Sequence, residues 1–130
     1  MIYTLLVHGA PASSQSCHSA LAFAQAAISR GHVIGRVFFF RDAVHAAAEL
    51  AVYRQDEIDL HSEWKEIALQ HGIEMVVCIS AALARGVLDK NESERYDRAA
   101  YTTSSPFELS GLGQLVDGMV NTDRIVSFGA

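Results

Sequence analysis

The stretch EMVVCISAALARG, residues 74–86, decides how this chain is read. It opens with a short apolar run, Met75, Val76 and Val77, rich in β-branched side chains that suit a strand. It closes as an alanine-rich segment ended by Gly86, which suits a short helix over 80–86. Cys78 stands at the changeover. A strand that passes directly into a helix is the signature of a β-α unit, and the rest of the chain can be tested for the same alternation.

Upstream, IYTLLVH (2–8) reads as a mostly buried strand, followed by the small, hydroxyl-rich loop GAPASSQS. A helix then runs to about Arg30, with Cys17, Ala20, Leu21, Ala24 and Ile28 on one face. Ser13 or Ser14 is placed to cap it, and Gly31 to end it. VIGRVFFF (33–40) is a second strand, after which Asp42 opens an alanine-rich helix through about Ala51. Residues 53–59 are polar and read as a surface connection. Asp59 caps the next helix, in which Leu60, Trp64, Ile67, Ala68 and His71 share a face, and Gly72 closes it. The strand ending at Cys78 follows.

Beyond the short helix, Asn91 with Glu94 has the spacing of a capping box. Residues 99–109, AAYTTSSPFEL, are ambiguous and leave room for a further short strand. Ser110 precedes an amphipathic helix carrying Leu112, Leu115, Val116 and Met119 on one side, and 123–128, DRIVSF, is the closing strand. Strands that are apolar throughout and alternate with helices imply a mainly parallel sheet of four or five strands, covered on both faces. The expected architecture is a three-layer α/β/α sandwich in one domain, 1–130, with right-handed crossovers. Strand order does not follow from periodicity.

Composition narrows the function. Half of the 130 residues are hydrophobic and 19% are charged, as in a globular domain. The net charge is −5 with no lysine or arginine cluster, which argues against binding along a nucleic-acid backbone. No run reaches the ~20 apolar residues of a membrane helix, and the N-terminus lacks the basic start of a signal peptide, so a cytoplasmic location is expected. Two cysteines, Cys17 and Cys78, make no disulfide framework. The six histidines show no paired spacing for zinc, and His8 and His18 are read as surface or packing residues even if they approach the rim. The loop GAPASSQS lacks both the G-x-G-x-x-G and G-K-[ST] patterns of phosphate-binding turns, and the chain has no G-x-S-x-G elbow.

The two cysteines then read differently. In an open parallel sheet, reactive groups gather beyond the carboxyl ends of the strands. Cys78 is at such an end, where the first N–H groups of the following helix favour an anion such as a thiolate, and Arg85 could add charge if the helix turns it back. The alternative is an inert core cysteine finishing the strand, since free cysteine is among the most buried residue types. Residue pattern alone leaves both open. Cys17 joins the apolar stripe of the first helix, so burial is expected there.

The segments GHVIGRVFFFRDAV, HGIEMVVCISAALARGVLD and FELSGLGQL together resemble the DsrE/TusD family of intracellular sulfur carriers, along essentially the whole chain. The pattern is most similar to the DsrE branch of sulfur-oxidising bacteria, with the TusD branch of transfer RNA thiolation as its near relative. The resemblance implies a sulfurtransferase that holds sulfur as a persulfide on the cysteine matching Cys78, and it gives Cys17 no role. It implies no metal, flavin or nucleotide cofactor. It also implies assembly with two related small subunits into a heterohexamer, a persulfide donor protein, and a small acceptor protein with a reactive C-terminal cysteine. A flavin- or nucleotide-binding flavodoxin-like domain is the rival reading, and a subunit that only scaffolds assembly is another.

Overall fold

A computed structural model describes residues 1–129. Its strands are β1 (Ile2–Val7), β2 (Val33–Phe39), β3 (Glu74–Cys78), β4 (Phe107–Ser110) and β5 (Arg124–Phe128). They form one sheet in the order β4-β3-β2-β1-β5, and every pairing is parallel. The helices are α1 (Ser16–Ser29), α2 (Leu60–His71), α3 (Ile79–Ala84), α4 (Lys90–Arg95) and α5 (Gly113–Asn121). The ambiguous region 99–109 supplies the start of the fifth strand, β4.

Neighbouring residues of β1 show how the layers divide, because successive side chains of a strand point to opposite faces. Tyr3 stacks edge-on against Phe23 of α1, with centroids 5.3 Å apart. Thr4 instead donates a hydrogen bond to the Gly118 carbonyl of α5 at 3.3 Å. Helix α2 lies on the α1 side, where Trp64 meets Phe39 edge-on at 5.4 Å. The result is the three-layer α/β/α sandwich, with α1 and α2 on one face and α5 on the other. Its core includes Leu5, Val37, Phe38, Phe39, Trp64 and Val77, all without solvent exposure. Each such side chain contributes roughly 1.5–3 kcal/mol of burial free energy.

Local signals explain most element ends. Gly72 ends α2 at φ 63°, a left-handed conformation glycine adopts without steric cost. Asp59 caps α2 by accepting from the Ser62 N–H at 3.1 Å.

Other expectations need correcting. The segment after Asp42 is a 3₁₀ helix, Arg41–Ala47, rather than an α-helix reaching Ala51. Ala43, Val44, Ala46 and Ala47 are all fully buried, so nearly every side of the segment is packed and tertiary contacts outweigh alanine's α-propensity. The first helix is capped by position at Gln15, with no side-chain cap bond. Ser14 instead accepts from the Ser16 N–H at 3.2 Å. The cap of α4 is Asp89, which accepts from the Glu92 N–H at 2.9 Å, so the D-x-x-E spacing operates two residues before Asn91 and Glu94. His71 is exposed rather than part of the buried face of α2. Ser110 is the last residue of β4, and the helix it was expected to precede begins at Gly113.

Helix α5 differs most. Leu112, Val116 and Met119 are each more than half exposed, and its inward seam is Leu115 and Gly118. A Cβ on Gly118 would stand 2.9 Å from Thr4 Oγ1, so glycine is what lets α5 approach β1 this closely.

Candidate functional site

Cys78 is the last residue of β3 and the N-cap of α3. Its register partner across β4 is Ser110. The register Phe39↔Val77 on the other side sets Phe40 beside it. Three strand ends therefore meet at the carboxyl rim around one sulfur.

Topology gives this place a further property. The chain leaving β3 enters α3, which packs against the 3₁₀ helix through an ion pair between Arg85 Nε and Asp42 Oδ1 at 2.8 Å. The 3₁₀ helix is in turn tied to α2 by the His61 ring and the Ala46 carbonyl at 3.0 Å. The chain leaving β4 goes to α5, on the opposite face. Adjacent strands whose exits diverge in this way open a crevice, and such switch points are where ligands of open α/β sheets bind. Cys78 and Ser110 flank it.

Alternation along β3 puts Glu74, Val76 and Cys78 on one sheet face. That face is the one α5 covers, because Arg36, paired in register with Glu74, also donates to the Gln114 carbonyl at 2.6 Å and to Asp117 Oδ2 at 2.9 Å. Arg36 binds Glu74 Oε2 as well. Burial opposes the charge of Arg36, but the hydrogen bonds and charges of Glu74 and Asp117 outweigh it and raise its pKa above the ordinary value. This clasp escaped the sequence reading. Its signal was a single arginine inside the apolar run VIGRVFFF.

Cys78 is only 4% exposed, so it is at the rim by topology yet covered in the isolated chain. Its sulfur makes no hydrogen bond among the described residues, whereas Cys17 donates its S–H to the Gly9 carbonyl at 3.3 Å. Cys17 has no exposure, and burial pushes its pKa up to about 12. A thiol held protonated in this way is neither a nucleophile nor a ligand at neutral pH. Arg85 turns back as far as the Ala81 carbonyl, 3.1 Å away, but its charge is committed to Asp42. The hydrogen bond from Arg85 in turn lowers the Asp42 pKa. Arg41, not singled out from sequence, takes a left-handed backbone at φ 50° just past β2, and its guanidinium carbon lies 5.6 Å from the Phe40 ring centroid. A positive charge and a strained backbone thus stand one residue beyond Cys78's neighbour.

The loop GAPASSQS is largely bonded to itself. Ser16 Oγ accepts from the Gly9 N–H at 2.8 Å, and Ser14 donates to Ser16 Oγ at 3.3 Å. A cavity of about 910 Å³ opens beside it, lined by Ser13, Ser14, His18, His45 and Tyr53 among others. Cys78 does not line it. His8 packs edge-on against Phe40 at 5.9 Å, and His18 turns a buried, unpaired Nδ1 within the cavity wall. No cluster of three or more metal-ligating side chains occurs among the described residues.

The DsrE/DsrF-like family model matches residues 1–128. The chain belongs to that family. It is 47% identical over 119 residues to a "Sulfurtransferase TusD homolog" of Pseudomonas aeruginosa, covering 92% of this chain and 91% of the relative. It is 40% identical over 129 residues to the "Putative sulfurtransferase DsrE" of Allochromatium vinosum, covering 99% of each. Among solved structures, the ychN protein from E. coli superposes with a TM-score of 0.75, covering 98% of this chain and 100% of that one, at 20% identity. This last likeness establishes the shared fold of the DsrE/DsrF-like chain. No described helix is long and apolar enough to cross a membrane.

Proposed function

We propose that this DsrE/DsrF-like chain is a cytoplasmic sulfur carrier that holds sulfane sulfur as a persulfide on Cys78. The observation that carries the reading is the place of Cys78 at the β3–β4 switch point, in a chain whose relatives are named sulfurtransferases. The Cys78 thiolate attacks the outer sulfur of a donor persulfide, the donor's S–S bond breaks, and its electron pair leaves on the donor thiolate. An acceptor thiolate then attacks the terminal sulfur on Cys78 and releases the Cys78 thiolate. One S–S bond forms and one breaks in each step, so neither step requires an oxidant or reductant.

The carrier is proposed to work with two related small subunits in a heterohexamer, loaded by a persulfide donor protein and discharged to a small acceptor with a reactive C-terminal cysteine. Its proposed setting is dissimilatory sulfur oxidation. Relay for transfer RNA thiolation is the second reading, favoured by the 47% identity to a TusD homolog against 40% to a DsrE. Loss of 2-thiouridine in a strain lacking this chain would decide for the second, and loss of sulfur oxidation for the first. The carrier chemistry itself is tested by treating the protein with inorganic polysulfide and releasing bound sulfane sulfur as thiocyanate with cyanide. The wild type should release about one equivalent per chain and Cys78→Ser none, because an alkoxide does not form at neutral pH to take sulfur.

A further inference from the structure

The cavity beside the loop GAPASSQS is not lined by Cys78 and has no part in the chemistry proposed above. Its volume of about 910 Å³ falls in the range of small-molecule sites, about 300–1,000 Å³. One wall is the loop after β1 with the first turn of α1, and the facing wall is the 3₁₀ helix with the segment 48–57. Four side chains of these walls carry polar atoms without a hydrogen bond among the described residues: the Ser13 hydroxyl, the His18 and His45 imidazoles, and the Tyr53 hydroxyl. His18 Nδ1 is moreover buried, and buried polar atoms of folded proteins nearly always have a partner.

The backbone adds donors to the same wall. The Ser19 N–H is bonded to the Gln15 carbonyl at 2.8 Å and the Ser16 N–H to Ser14, but the N–H groups of Cys17 and His18 have no acceptor among the described residues. Burial, then the charges of Asp59 and Cys17, push the Tyr53 pKa up to about 12, so its hydroxyl stays a donor at neutral pH and lies near this turn. The lining carboxylate, Glu57, is matched by Arg54 at 3.5 Å. Unpartnered donors thus come from both walls, which suits a ligand rich in acceptor oxygens. A tetrahedral head directs its oxygens to both walls at once, as a flat carboxylate does not. The space is far larger than a bare phosphate fills, and Pro11, Ala48 and Val52 give the remainder apolar surface. We infer that this cavity is a binding site for a small phosphate monoester, its phosphate between the first turn of α1 and the Tyr53 hydroxyl and its organic part along Ala48–Val52.

The inference does not depend on the carrier reading, and sulfur loading is not its readout. Isothermal titration of the full chain with phenyl phosphate, inorganic phosphate and benzyl alcohol tests it. Phenyl phosphate should bind at least tenfold more tightly than inorganic phosphate, and benzyl alcohol should not bind. Tyr53→Phe, which removes one hydroxyl and keeps the ring, and Ser13→Ala, at an exposed position, should each weaken phenyl phosphate fivefold or more. Gln70→Ala, in the last turn of α2 and away from the cavity, should bind as wild type. Wild type that ignores phenyl phosphate would overturn the site, and so would undiminished binding in both cavity variants or equal weakening in Gln70→Ala. Equal affinity for benzyl alcohol would show an apolar hollow with no phosphate seat, and equal affinity for inorganic phosphate would show that no ester is selected; either overturns the assignment. Should Tyr53→Phe fail to fold, Ser13→Ala carries the same test.

Discussion

Cys17 and Cys78 are both buried in the isolated chain, yet they occupy different chemical positions. Cys17 sits in a sealed contact between α1 and the loop after β1, with its S–H bonded to a backbone carbonyl. Its pKa near 12 against an ordinary value of 9.0 has a consequence for stability. Between those values the unfolded chain releases the Cys17 proton and the folded chain keeps it. Stability is therefore unaffected by Cys17 below about pH 9 and falls as pH rises towards 12, by up to ~1.4 kcal/mol per pH unit. Tyr53, whose pKa is raised to about 12 mainly by burial, adds a similar loss above pH 10. Urea unfolding of wild type and Cys17→Ala isolates the cysteine. The variant should lose the slope between pH 9 and 10, and identical slopes would show that Cys17 is not sealed.

At the scale of elements, the Arg36 clasp holds α5 to the sheet, and its parts should not be equivalent. Arg36 has an 11% exposed side chain, whereas those of Glu74 and Asp117 are 60% and 51% exposed. Arg36→Met leaves two carboxylates in water and should cost about 1 kcal/mol. Removing both acids, as Glu74→Ala with Asp117→Ala, leaves a buried guanidinium with no counter-charge and only the Gln114 carbonyl as acceptor, and should cost about 3 kcal/mol or more. Urea midpoints of the variants check the order, and equal losses would refute it. The elements also show what sequence could reveal. Strand runs, Gly72 and Asp59 act through neighbours a few residues away, and so they were legible. The 3₁₀ form of Arg41–Ala47, the outward turn of α5 and the covering of Cys78 depend on contacts between distant segments. The switch point needed the strand order, which no local pattern carries. The D-x-x-E cap at Asp89 was legible and was passed over for a similar spacing two residues on.

For the whole molecule, the α5 side of the sandwich is unfinished. Leu112, Val116, Met119 and Val120 are 52–75% exposed along one short helix, and neighbouring exposed apolar side chains of this kind can mark an interaction surface. The proposed assembly with related small subunits gives that surface a use. The protein purified from its native source should therefore elute as a complex containing two further small chains, measured by size exclusion with light scattering. A lone monomer would contradict the assembly. The account as a whole stands on which sulfur carries the cargo. Peptide-resolved mass spectrometry after polysulfide treatment tests this most directly, with wild type, Cys78→Ser and Cys17→Ser compared. One added sulfur should appear on the Cys78 peptide of wild type and Cys17→Ser, and nowhere in Cys78→Ser. Sulfur on the Cys17 peptide, or loading that persists in Cys78→Ser, would contradict the account.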